Sequence, residues 1–177
     1  MGRIARVVVP DLPHHVTQRG NRRLPTFLQD DDYRRYLALL AEECRRYTVA
    51  IWAYCRMLNH SHLVPVPSTA SGLAAAIGAA HQHYTQAINA RMGWTGHLWQ
   101  GRFASYPLED DYLRNVIRYV VCNAQRAGLV EQSGDYPWCS AAARVPSRED
   151  PLITMEPLQS MIEDWAPSSL WSRMGRC

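Results

Sequence analysis

The feature that most restricts how this chain can fold is the repeated change of hydrophobic period between residues 14 and 127. Alternating or β-branched runs at His14–Gln18, Thr48–Met57, Asn59–Val66 and Arg102–Leu108 read as strands. Helical spacing occupies Asp30–Arg46, Ser71–Met92 and Glu109–Ala127. Asp30 can cap the first helix, with Asp31 and Asp32 in its first turn and Arg45 and Arg46 in its last, charges that suit the helix dipole. The order βαββαβα predicts an α+β fold, an antiparallel sheet with helices mainly on one face. Patterning fades near residue 145, so residues 1–145 read as one domain and 146–177 as a tail of no evident structure.

A chain of 177 residues can bury a core of its own. Its hydrophobic fraction of 47% and charged fraction of 20% exclude wholesale disorder. No apolar run approaches the ~18 residues of a membrane helix, and Met1–Arg6 lacks a signal-peptide core. A cytoplasmic protein with no membrane partner is the expectation. The five cysteines are scattered without a CxxC pair, which argues against a zinc ribbon.

All 19 basic residues are arginine. Up to residue 130 there are 15 arginines against 9 acidic residues, and beyond it 4 against 7. Arginine forks onto phosphate and stacks on bases, so the basic body suits a nucleic-acid partner. A GC-rich genome would give the same bias, and charge alone does not choose.

Two constellations can carry chemistry. In Asn59-His60-Ser61-His62, period-2 alternation points both histidines to one strand face, where two imidazoles can grip one divalent ion. Two histidines leave coordination positions open for oxygen ligands; a pair of partly buried strand histidines would read the same way. On the helix 109–127, Leu113, Ile117, Val120, Val121 and Ala124 form the core stripe. Tyr119 falls about 120° away from that stripe's centre. Asn123 is one turn from Tyr119, so the two side chains stand one above the other. A tyrosine beside a metal-ligating amide is suited to attack phosphorus; an amphipathic tyrosine at a helix margin is the plainer alternative.

The strand Tyr54-Cys55-Arg56-Met57-Leu58-Asn59-His60-Ser61-His62-Leu63 resembles the HUH-motif strand of single-tyrosine, insertion-sequence-200-like transposases, and more closely their REP-associated branch. The resemblance extends through Pro13–Arg23, Gly96–Phe103, Arg118-Tyr119-Val120, Arg126–Val130 and Tyr136–Ser140, covering residues 10–145. It implies a ferredoxin- or RRM-like sheet with the catalytic tyrosine on a C-terminal helix. Carried over residue by residue, the HUH histidines fall on His60 and His62, the nucleophile on Tyr119, and the third metal ligand on Asn123. The implied activity is endonuclease and strand transfer on single-stranded or hairpin DNA at REP elements. It would depend on Mg²⁺ or Mn²⁺ and pass through a 5′-phosphotyrosine, with dimerisation left open. Leu58 stands where the family usually has proline, Ser61 where it has an apolar residue, and Asn123-Ala124-Gln125 replaces Asn-Pro-Val. None of these removes a chemical group.

For DNA contacts, Arg19, Arg22 and Arg23 around Gly20 can bring side chains and N–H groups to phosphate. Trp99 and Arg102 can stack unpaired bases, or the tryptophan can instead seal the sheet's edge. Arg126 lies on the flank of Tyr119. The rival reading is a repurposed, non-catalytic single-strand or hairpin binder. RRM-type binders use sheet aromatics, and no such run is present.

Overall fold

Strand β1 (His14–Arg19) lies between two antiparallel neighbours, β3 (His60–Pro67) and β4 (Ala104–Pro107). Strand β2 (Val49–Arg56) pairs with the outer side of β3, giving a four-stranded sheet in the order β2-β3-β1-β4. The computed structural model describes residues 6–142 and 150–154. Helix α1 (Asp30–Arg46) connects β1 to β2, α2 (Gly72–Met92) connects β3 to β4, and α3 (Asp110–Val121) follows β4.

Strand alternation sends the apolar residues to two cores. Val16, Ile51, Tyr54 and Leu63 pack with Tyr36 and Leu40 of α1 and with Ile77 and Tyr84 of α2. Their neighbours Ala53, Cys55 and Val64 point the other way, against Leu113, Ile117 and Val120 of α3. The two long helices thus share one face, and α3 covers part of the other. His60 and His62 are in phase with Val64 on β3, which places both imidazoles on the α3 side.

The expected single helix 109–127 is broken. Cys122 sits at φ −91° and ψ 3°, and a short α4 (Asn123–Arg126) restarts beyond it. The sequence has no Pro or Gly there. The break coincides with a tertiary contact, the Cys139 thiol donating to the Val121 carbonyl at 3.4 Å. The N-cap of α1 is Gln29 rather than Asp30. Most of the expected tail 146–177 lies outside the described residues. Its described part returns to β2: Thr154 N–H donates to the Ile51 carbonyl, and the Tyr54 hydroxyl donates to Asp150 at 2.6 Å.

Candidate active site

Register brings the site together. Thr17 pairs with His62 and Arg19 with His60, so the side of β1 carrying His15, Thr17 and Arg19 faces α3 beside the two histidines. The His60 and His62 ring centroids are 5.2 Å apart. Tyr119 of α3 sets its ring edge-on to His62, centroids 5.3 Å apart, and also meets His15 at 6.1 Å. Asn123, though on α4, still comes near enough to the His60 imidazole to oppose the lowering of its pKa. The structure therefore gathers His60, His62 and Tyr119 at a cleft of about 440 Å³ that Arg19, Gln100 and Arg102 also line, with Asn123 near the His60 ring.

Each histidine is held by its Nδ1. His60 Nδ1 is 2.9 Å from Asn59 Oδ1, and His62 Nδ1 is 3.2 Å from His15 Nε2. The Asn59 amide cannot flip without loss, because its Nδ2 donates to the Arg23 carbonyl at 2.9 Å. Its oxygen therefore faces His60 and accepts the Nδ1 proton. The His60 Nε2 lone pair remains for a ligand, and so does that of His62 when its Nδ1–H donates to His15, the arrangement that outer partners impose on metal-binding histidines. Burial lowers the His60 pKa, the Arg19 charge adds to this, and the Asn123 hydrogen bond opposes it. His62 is lowered to about 3, mainly by burial and further by the charges of His60, His15, Arg56 and Arg19. Both rings are thus neutral donors near neutral pH. Among the described residues no three His, Cys, Asp or Glu side chains cage an ion. The donor set of two imidazoles and one amide fits a divalent ion that shares its remaining positions with substrate oxygens.

The basic turn is built by backbone geometry. Gly20 admits no side chain, since a Cβ there would stand 2.3 Å from the Leu24 carbonyl oxygen. Arg22 and Arg23 take positive φ, 54° and 61°, in a 3₁₀ turn spanning Asn21–Arg23. Both side chains are exposed, and the turn is joined to the site through Asn59. Arg126 places its guanidinium 5.4 Å from the Tyr119 ring centre. Trp99 corrects an expectation: it is 7% exposed and stacks on His81 at 4.5 Å among Phe27, Tyr36 and Tyr84. Trp99 thus packs chiefly into the core, stacked on His81, rather than standing out as a platform for a DNA base. Two supporting residues were missed from sequence, His15 and Asn59. Asn59 adjoins the histidine motif, whereas His15 needed the β1–β3 register, which no local pattern supplies.

The profile of the "Transposase IS200 like" family matches residues 8–123. Among solved structures, a REP-associated tyrosine transposase bound to a REP hairpin is 20% identical, with a TM-score of 0.68 over 83% of this chain and 87% of that one. A Deinococcus radiodurans protein described as a transposase is 19% identical, with a TM-score of 0.47 over 69% of this chain and 97% of that one. No curated protein matches the chain.

Proposed function

The chain belongs to the IS200-like transposase family, and we propose that it cleaves and rejoins single-stranded DNA at hairpin-forming repeats with Tyr119 as nucleophile. The observation that carries this reading is the seating of Tyr119 against His62, 5.3 Å between ring centroids, beside the His60 ring on the same strand face. The Tyr119 oxygen attacks the scissile phosphorus, the bond from phosphorus to the 3′ oxygen breaks, and the strand leaves with a 3′-OH. The 5′ end stays on the tyrosine as a phosphodiester. Attack by an incoming 3′-OH regenerates the tyrosine and reseals the strand. His60, His62 and Asn123 would hold Mg²⁺ or Mn²⁺, which supplies Lewis-acid polarisation of the phosphate oxygens when bound. Arg19, Arg102 and Arg126 line the approach and offset phosphate charge; Arg22 and Arg23 extend that basic surface along the neighbouring turn.

The REP-hairpin-bound neighbour suggests the class of DNA to try first. Among the described residues no helix is long and apolar enough to cross a membrane. The test incubates the protein with single-stranded oligonucleotides carrying a hairpin, with Mg²⁺, Mn²⁺ or chelator. A protein–DNA adduct that survives denaturing electrophoresis, and requires the ion, is expected. A binder without chemistry would shift the same DNA under native conditions and leave no adduct.

A further inference from the structure

Arg56, at the last position of β2, is a charged side chain enclosed by the core. It is 0% exposed, and none of its three guanidinium nitrogens meets a hydrogen-bond acceptor among the described residues. Its backbone is satisfied: the N–H donates to the Trp138 carbonyl at 2.8 Å, and the carbonyl accepts from the Tyr136 hydroxyl at 2.8 Å. No carboxylate of the described residues pairs with it either. What the guanidinium does meet is aromatic, with its Cζ 4.5 Å from the Tyr36 ring centre and 5.6 Å from that of Tyr54. Such contacts offset only part of the cost of taking a cation out of water.

Strand alternation makes this a core position, on the same α1–α2 face as Tyr54. Across the sheet, Tyr54, Leu63 and Val16 form an apolar row in register. Arg56, Ser61 and Gln18 form the next row, and all three are buried. An apolar side chain would suit that place, and replacing a buried charge in this way is often neutral or stabilising. The titratable neighbours on this face do not call for a cation. Burial pushes the Tyr36 and Tyr54 hydroxyls up, the Cys44 thiol up to about 12 and the His81 imidazole down to about 3. All four are therefore neutral near pH 7, while an arginine stays charged.

The use for the charge lies on the other face of the sheet. Ser61, the register partner of Arg56, stands between His60 and His62, which line the tyrosine cleft. Arg56 is thus directly behind the stretch of β3 against which the scissile phosphate would lie. Because the guanidinium is sealed from solvent, its field crosses the sheet with little screening.

We propose that Arg56 is a positioning residue for strand cleavage, a fixed charge behind β3 that favours the more negative transition state of the phosphate over its ground state. It touches neither DNA nor metal ion. Its unpaired burial costs stability, and the gain appears in the rate of attack by Tyr119. The inference rests on the reading of the tyrosine cleft as a single-strand cleavage site.

The experiment compares the full chain with its Arg56→Met and Arg56→Lys variants. Each is melted thermally and titrated with a hairpin oligonucleotide by fluorescence anisotropy. Adduct formation is then timed in single turnovers at saturating DNA and Mn²⁺. Arg56→Met removes an unpaired buried charge and keeps an unbranched side chain, so it should melt no lower than the parent. Its affinity for the oligonucleotide should match the parent's. Adduct should form about tenfold more slowly, the order expected for one unit charge acting across a few side-chain lengths. That ratio should hold from low to high salt, because solvent ions do not reach the charge. Arg56→Lys keeps a cation and should keep most of the rate. A merely structural role would tie the lost rate to a lower melting temperature, and a DNA contact would tie it to affinity and salt. Either coupling would overturn the inference, as would a parental rate in Arg56→Met or an Arg56→Lys as slow as Arg56→Met. Absence of adduct from the parent itself would instead overturn the cleavage reading.

Discussion

His15 Nε2 stands 3.2 Å from His62 Nδ1, and the two rings stack with centroids 5.4 Å apart and planes 17° from parallel. One of the two nitrogens must donate. For His62 to present the Nε2 lone pair to an ion, its own Nδ1–H donates and His15 accepts. His15→Ala removes both the acceptor and the stacked ring. Its Mn²⁺ affinity should fall about 10–100-fold, the usual loss when an outer partner of a ligand is removed. His15→Gln keeps an acceptor and should recover most of the loss. Equal Mn²⁺ titrations for parent and His15→Ala would refute this role.

Asn59 acts on His60 in the same way but from its own strand end, with Arg23 fixing the amide. Nitrogen-15 NMR of the ion-free protein should find the His60 proton on Nδ1. Asn59→Leu should scramble the tautomer and slow adduct formation about 10–100-fold, as expected for an outer partner. Asn59→Asp keeps the accepting oxygen and should preserve the tautomer. A His60 proton on Nε2 in the parent would defeat the assignment.

Much of this site was legible and part of it was not, for a physical reason. His60 and His62 share a face because a strand has period 2, and Tyr119 stands off the core stripe because a helix has period 3.6. Those periods are local and were read from residues alone. The His15–His62 contact is set by the β1–β3 register, a pairing of residues 47 apart. The break at Cys122 coincides with another long-range contact, Cys139 against the Val121 carbonyl. Trp99 was misplaced because a tryptophan in a Gly-rich loop looks exposed until α2 and His81 close over it.

Stability offers a test at a site remote from the chemistry. Asp32 is buried, 1% exposed, and accepts from the Leu28 and Gln29 N–H groups and from both terminal nitrogens of Arg91. Burial alone would raise its pKa, but the Arg91 pair and those N–H donors outweigh it and hold the carboxyl below its usual 3.8. A depressed folded-state pKa contributes stability that is complete above the unfolded value and is lost as pH falls through the folded one. Asp32→Asn should therefore lower stability at pH 7, by about 1.5 kcal/mol for charge-assisted hydrogen bonds whose Arg91 end is partly exposed. The deficit should shrink as the pH drops below 3.8. Urea melts at pH 7 and pH 3 measure it. A deficit that is the same at both values would show that the charge on Asp32 is not what stabilises the fold.

Tyr112 and Tyr119 lie on the same flank of α3 and compete for the role of nucleophile. Exposure favours Tyr112, at 64% against 38% for Tyr119. Contacts favour Tyr119. Tyr119 meets His15, His62 and the Arg126 guanidinium, whereas Tyr112 is seven residues earlier, about 10 Å back along the helix axis. A phosphate held beside His60 and His62 is within reach of the Tyr119 oxygen and out of line for Tyr112. Tyr119→Phe deletes a single oxygen from a half-exposed ring, so the fold and DNA affinity should persist while the covalent adduct vanishes. Tyr112→Phe should leave adduct yield at the level of the parent. Peptide mapping of the trapped adduct by mass spectrometry should place the nucleotide on Tyr119. A nucleotide found on Tyr112, or adduct persisting in Tyr119→Phe, would move the nucleophile and with it the reading of the whole cleft.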